Sequence, residues 1–441
     1  MSGSLLALVL LVQLGGLLAG IALLRSPGLA LRSPRTNVAV ATVISAAMAA
    51  FVFAVSEPGL LFNDFRKAYY PAGQVILEQP GALAPLIDSI SFVNLPIVAY
   101  LFAPFGILPF KGAAIAFLLL GFAMSLWAWK LLALEARLEH RQQWLLLFLF
   151  AANGPLLYSA KEGNTSHMVL LGLVAGLIYL RRQRDIAAGV VLGVCALIKL
   201  PLLIFGAYFV LRRNWRAVAG FSGVLALSGL LSILIFGWEL NQRWFELCVL
   251  QFGSNPIGAF NVQSIPSFLI RLDAGPEVLR DWSAVEIAPL QRFVGTGLVL
   301  LMALAAIAVC ARLSDAENEP RPQELVALEY ALVVVLSVVS SPMSWSHYYC
   351  WLLVPIALFL SPSSAVAATP LARRVIWAAI FLISPAVVLL SFETPAIETL
   401  YVKVLLSHLL AGGLIVYGIL IWALARAEPR HVHSGVARVI H

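Results

Sequence analysis

Apolar residues along this chain do not alternate; they run in blocks of about 15 to 25, separated by short polar or basic punctuation. Blocks of that length match the ~20 residues an α-helix needs to cross a hydrocarbon core. They place full spans at about 5–24, 37–56, 112–134, 144–160, 165–180, 217–237, 293–312, 325–341, 347–361, 375–391 and 404–425. Two stretches resist simple counting. Residues 187–210 are apolar but flanked at both ends by arginine clusters, so the chain should enter and leave by the same side. That stretch is too short for two crossings, which predicts a re-entrant pair broken at Pro201 with Lys199 at its tip. Residues 94–110 are punctured by Pro96, Pro104 and Pro109 and read as a juxtamembrane or re-entrant hairpin on the outer side.

The predicted fold is an all-α, polytopic integral membrane helical bundle of about eleven full spans plus a re-entrant pair. Composition agrees: 61% of residues are hydrophobic, 12% are charged, and the mean hydropathy is +0.92. One integral unit is expected over 1–441, with outer loops at 57–111 and 238–292 and no soluble domain. The first apolar run lacks a positive start and a small-residue cleavage site, so it is read as a retained helix. The four cysteines are scattered, without metal-ligand spacing or a disulfide framework. No internal repeat emerges.

Charge sets the orientation. Basic residues collect at Arg25, Arg32 and Arg35, at Arg181, Arg182 and Arg184, at Arg212, Arg213 and Arg216, at Arg373 and Arg374, and in the tail at Arg426, Arg430 and Arg438. Placing these in the cytoplasm puts roughly nineteen of the 29 basic residues inside. Asp64 and both long loops then face the periplasmic or exoplasmic side of a cell inner (plasma) membrane.

That orientation gathers a polar set at the outer face: Asn63, Asp64, Arg66, Lys67, Tyr69 and Tyr70; Asn153, Tyr158, Lys161, Glu162, Asn164 and His167; Lys199; Asn261, Gln263 and Ser264; and Ser344, Trp345, His347, Tyr348 and Tyr349. Cations, aromatics and amides dominate, which suits an anionic substrate with a sugar-like polar surface. Each residue also has a plain reading. Asp64 fits a solvated loop acid, Lys199 a snorkelling side chain, and His347 and the tyrosines an aromatic belt. The chemistry that uses them starts at Asp64 as general base on an acceptor hydroxyl. The leaving group is a lipid phosphate, so Lys199, His347 or an arginine need only stabilise charge. Neither a glycosidase-type carboxylate pair nor a metal-binding acidic pair is visible, and no metal or other cofactor is expected.

DFRKAYYPAG at Asp64–Gly73, the proline-rich stretch 95–109, EGN at Glu162–Asn164, GVVLGVCALIKLP at Gly189–Pro201, NVQS at Asn261–Ser264 and SPMSWSHYYCWLLVP at Ser341–Pro355 together resemble glycosyltransferase family 87, within the C-type glycosyltransferase fold. The likeness runs from about 57 to 425. It implies inverting transfer of a sugar, often mannose, from a polyprenyl phosphate carrier to a glycan or glycolipid acceptor, without nucleotide sugar or metal. It maps the acidic base of the first outer loop onto Asp64. The partners implied are that donor, that acceptor and membrane lipid, and not nucleic acid. A transporter or flippase of a lipid-linked sugar stays open, as does a non-catalytic scaffold. The flippase reading calls for repeats and midplane charges that are not evident.

Overall fold

The computed structural model describes residues 3–25, 61–313 and 322–427, except 363, 368 and 391. The expected span over 37–56 lies outside the described residues, as do Arg32, Arg35, Arg430 and Arg438. The helices of eight or more residues are α1 Gly3–Arg25, α2 Tyr70–Glu78, α3 Phe110–Glu135, α4 His140–Ala151, α5 Gly154–Glu162, α6 Ser166–Arg181, α7 Asp185–Ile198, α8 Ile204–Leu211 and α9 Trp215–Trp244. They continue with α10 Ile265–Asp273, α11 Pro289–Arg312, α12 Gln323–Val339, α13 Leu353–Leu360, α14 Pro370–Ile383, α15 Pro395–Lys403 and α16 His408–Arg426. Among the described residues no strand forms; a single isolated antiparallel bridge pairs Val262 with Trp345.

The all-α membrane class holds, but the count of eleven full spans does not. Among the described residues four helical stretches are long and apolar enough to cross a membrane: Phe110–Glu135, Trp215–Ser254, Pro289–Arg312 and Pro395–Arg426. A fifth appears if α4 and α5, bent by 47° at Asn153, are counted as one. The reason is that an apolar run measures hydrophobicity, not helix continuity. The run at 347–361 winds as a 3₁₀ turn over Ser346–Leu352 before α13 begins, and the run at 375–391 leaves α14 at Ile383 for extended chain. Gly237, with φ +80°, kinks α9 where the expected span ended. Such breaks are tolerated at membrane depth only where protein surrounds them, and Tyr349, Trp351 and Leu352 are fully buried.

The stretch between the arginine clusters does leave and return by one end. A Cβ on Gly189 of α7 meets Ala217 O of α9 at 2.1 Å, and one on Gly220 of α9 meets Ile186 O at 2.3 Å, so α7 and α9 run side by side with their starts together. Only residues without side chains permit backbones this close. Gly193 of α7 and Gly206 of α8 both lie against Phe221 of α9, so α8 folds back along α7 after the break at Lys199. The two ends close at Gln183 and Arg213, both left-handed, with φ of +56° and +50°. Arg212 at the base pairs with buried Glu329 of α12.

The segment from Phe62 to Phe110 has its own apolar core. Phe65, Tyr69, Ala72, Phe92, Val98 and Phe102 pack on Phe117 of α3 and on Leu240 and Cys248 beyond the kink of α9. Residues 94–110 form no helix long enough to cross a membrane: a 3₁₀ turn at Pro96–Leu101 and a one-turn helix at Ala103–Gly106 fold against α2, where Gly73 sits under Phe102 O.

Candidate active site

Asp64 is set in place by its neighbours in sequence. Phe65 is fully buried, its ring 4.7 Å from that of Phe117 and edge-on to Phe105 at 5.9 Å. Phe62 takes a left-handed backbone, φ +56°, and its N–H donates to Lys161 O at 2.7 Å. A bulky residue in that region is costly and persists only when its surroundings hold it there. The end of α5 then turns through Gly163, φ +66°, and a Cβ at that position would sit 2.5 Å from Phe65 Cβ. Glycine is required twice over, for the dihedral and for the approach. The turn delivers Asn164 to Asp64.

Asn164 is the hub. Its Nδ2 donates to Asp64 Oδ2 at 2.7 Å, and its Oδ1 accepts from Lys199 Nζ at 2.9 Å. Ser166 N and Oγ also donate to Oδ1, at 3.1 and 3.0 Å. Lys199 is the residue at which α7 breaks, extended at φ −138°, and it is 6% exposed. The carbonyls freed at that break are met from a distant loop: Asn94 Nδ2 donates to Ile198 O at 2.8 Å and to Leu197 O at 3.3 Å. The ammonium lies 5.3 Å from the centre of the Tyr348 ring, a cation–π distance. Asp64 keeps part of its surface accessible. Desolvation nevertheless raises its pKa above the usual carboxylate range, against the lowering pull of the Asn164 hydrogen bond and of Lys199, Lys161 and Lys67.

An aromatic wall adjoins this pair. His347 is stacked between Trp345 and Tyr158, with ring centres 6.3 Å away on each side, and Tyr348 stacks on Trp351 at 4.8 Å. Trp351 Nε1 donates to Ser166 O at 3.0 Å, tying this wall to the turn that carries Asn164. The segment between α9 and α10 reaches in through Asn261, whose Nδ2 donates to Tyr158 OH at 3.4 Å and whose Oδ1 accepts from Trp282 Nε1 at 3.0 Å.

The sequence-derived set therefore divides. Asp64, Asn164, Lys199, Tyr348 and His347 form one constellation, with Asn261 at its edge through Tyr158. Arg66 and Lys67 are exposed, Arg66 resting 4.6 Å over the Phe110 ring. Tyr69 is buried and stacks on Phe102 at 4.5 Å, and Tyr70 OH donates to Leu108 O at 2.9 Å. Gln263 Nε2 donates to Phe260 O and Leu406 O, both at 3.0 Å. Ser264 caps α10 and donates to Pro342 O at 2.9 Å.

Three contributors escaped sequence reading: Asn94, Trp282 and Arg271. Arg271 is completely buried; NH1 donates to Val262 O at 2.8 Å and to Ala259 O at 3.2 Å, and NH2 to Ser407 Oγ at 2.9 Å, bracing the strand of chain that carries Asn261. A lone arginine within the amphipathic stretch IPSFLIRLD was its only signal. Among the described residues no three His, Cys, Asp or Glu side chains gather as metal ligands would. A cavity of about 490 Å³ along α11, lined by Glu286, Arg292, Phe293 and Thr296 among others, shares no residue with the constellation.

A carboxylate with raised proton affinity, joined through one amide to a buried ammonium and walled by aromatic rings, can take a proton from a hydroxyl and stabilise an anion beside it. The chain is similar to two mycobacterial proteins. One is a polyprenol-phosphate-mannose-dependent alpha-(1-2)-phosphatidylinositol pentamannoside mannosyltransferase of Mycolicibacterium smegmatis, 27% identical over 318 residues, covering 67% of this chain and 70% of that protein. The other is a polyprenol-phosphate-mannose-dependent alpha-(1-2)-phosphatidylinositol mannoside mannosyltransferase of Mycobacterium tuberculosis, 27% identical over 308 residues, covering 66% of this chain and 65% of that protein. No solved structure matches the chain. The model of glycosyltransferase family 87 matches residues 92–342, more than half of the sequence and the part that holds Asn164, Lys199 and Asn261. The chain belongs to glycosyltransferase family 87.

Proposed function

We propose that this protein transfers a sugar, mannose first among the candidates, from a polyprenyl phosphate carrier to a glycolipid or glycan acceptor at the outer face of the plasma membrane. The family and the two mannosyltransferase relatives support the donor class and the membrane setting. The observation that carries the mechanism is the Asp64–Asn164–Lys199 chain of hydrogen bonds.

Ionised Asp64 takes the proton of the acceptor hydroxyl. That oxygen attacks the anomeric carbon, the bond from this carbon to the phosphate oxygen breaks, and the lipid phosphate leaves with the bonding pair. Attack opposite the leaving group inverts the anomeric configuration. A phosphate leaves well without protonation, so Lys199 serves by charge; Asn164 occupies one of its three N–H donors, leaving the others for phosphate oxygens. Neither role calls for a metal ion. His347, Tyr348 and Asn261 line the sugar, and Lys67, exposed and acting on the base by its charge, meets substrate from the outer side.

The hairpin of α7 and α8 is re-entrant in this reading: both ends lie at cytoplasmic arginines and its tip brings Lys199 to the outer loop. Residues 61–111 and 238–292 form the outer roof of one membrane-embedded unit in this reading.

The test is sugar transfer by purified protein in nanodiscs with polyprenyl phosphate mannose and a panel of glycolipid acceptors. Wild type is expected to transfer and Asp64→Asn to lose activity by 10²-fold or more, the typical worth of a general base. Turnover by the variant at the wild-type rate would remove Asp64 from the chemistry.

A further inference from the structure

Both polar atoms of the Asn164 side chain are engaged within the protein. Its Oδ1 faces two obligate donors, Lys199 Nζ and Ser166 N, which settles the orientation of the amide: the oxygen lies on their side and the NH₂ on the side of Asp64. The NH₂ reaches Asp64 Oδ2 at 2.7 Å, the short distance of a bond to a charged acceptor. Asn164 is only 5% exposed. Among the described residues no hydrogen bond goes to Asp64 Oδ1. We propose that Asn164 is a positioning residue: it holds Asp64 through Oδ2, links it to Lys199, and leaves Oδ1 as the oxygen that takes the acceptor's proton. This rests on Asp64 being the base.

The arrangement has a consequence for pH. A carboxylate that accepts an N–H is favoured in its charged form, so Asn164 works against the desolvation that raises the proton affinity of Asp64. The other groups acting on Asp64 are Lys67 in its own turn, Lys161 and Glu162 at the end of α5, and Lys199 at the break of α7. The phenols of Tyr69, Tyr158 and Tyr348 complete the surroundings. The base is active when ionised, so the rate falls as pH drops through its pKa. Removing the amide raises that pKa and moves the acid limb of kcat/KM to higher pH.

The experiment compares wild type with Asn164→Ala and Asn164→Asp. The acid limb is expected to rise by about one pH unit in the alanine variant. In the aspartate variant, which keeps an acceptor for Lys199 but replaces the donor with a second carboxylate, it is expected to rise by about two units or more. At pH above the limb the rate of Asn164→Ala should level off at a kcat below that of wild type, because Asp64 is no longer held, with donor and acceptor KM within about twofold. A KM raised at every pH with the acid limb in place would make Asn164 a substrate ligand and overturn the proposal; an unmoved limb with KM unchanged would overturn it as well. Infrared titration of the Asp64 carboxyl, with Asp64→Asn as the blank, reads the same shift without turnover. If Asp64→Asn keeps full activity the base reading fails, and the titration still decides whether Asn164 governs the protonation of Asp64. Asn164→Asp, nearly the shape of the native residue, carries the test if the alanine variant does not fold.

Discussion

Replacing Lys199 by methionine separates the two tasks assigned to the ammonium. Methionine keeps most of the stem that packs beside Tyr348 and removes only the charge and its N–H donors. The two hydrogen bonds through Asn164, 2.9 and 2.7 Å long, place Lys199 Nζ roughly 6 Å from Asp64 Oδ2 once the width of an amide is added. Unit charges at that distance interact by about 2.8 kcal/mol at an effective dielectric of about 20. That equals about two pH units on the ionisation of Asp64 as an upper limit, and about one unit after allowing for the access Asp64 retains to solvent. A charge-assisted hydrogen bond to the donor phosphate is worth about 1.5–3 kcal/mol, or about 10- to 150-fold in affinity. Lys199→Met is therefore expected to weaken binding of polyprenyl phosphate by that factor, leave acceptor affinity within about twofold, and shift the acid limb of the rate upward. The assay is equilibrium binding of the lipid phosphate in nanodiscs, followed by a pH profile of transfer. Equal affinity of wild type and variant for the lipid phosphate would refute the phosphate role and return Lys199 to a snorkelling cation. The contrast with Asn164 is sharp, since Asn164→Ala moves the acid limb without touching donor affinity.

Gly163→Ala imposes both a left-handed backbone, costing about 1–2 kcal/mol, and a Cβ against Phe65 Cβ at 2.5 Å, costing about 1–3 kcal/mol; thermal unfolding should move down by several degrees and transfer should fall at least tenfold as Asp64 shifts with Phe65. An unfolding temperature and rate equal to wild type would show that the turn tolerates a side chain. For orientation, the four native cysteines are buried, so single cysteines can be read against little background. Lys67→Cys and Arg182→Cys both sit at exposed positions; the first is expected to react with an impermeant maleimide in intact cells and the second only after permeabilisation, and the reverse pattern would invert the proposed topology.

How much of the site was legible can be followed residue by residue. Asp64 and Lys199 stood out because each places a charge against apolar chain, where charge needs a reason. Their partnership was not visible: 135 positions separate them, and their link is the amide of Asn164, a residue whose type says nothing of which neighbour it serves. Arg66 drew attention as a cation beside the acid, yet it lies over Phe110, because two residues along a helical turn move a side chain by about 200°, to nearly the opposite face. Gln263 and Ser264 read as sugar ligands by residue type, whereas their hydrogen bonds go to Phe260, Leu406 and Pro342. Arg271 gave almost no signal, since a fully buried arginine bonded to backbone carbonyls looks in sequence like any surface cation.

The sequence by itself determined the membrane class, the helical content and the shared side of the two arginine clusters. These follow from summed hydrophobicity and charge, which are additive along the chain and need no partner. It also singled out Asp64 as the candidate base, because a carboxylate beside apolar spans is expensive in any fold. Only the tertiary structure decided where helices break and which polar groups meet. A helix end such as Lys199 is stable only once Asn94 of a distant loop satisfies its carbonyls, and the glycines of α7 matter only because α9 lies on them. Continuity of a helix and the pairing of buried polar groups are properties of contacts, and the sequence of one segment does not contain its neighbours.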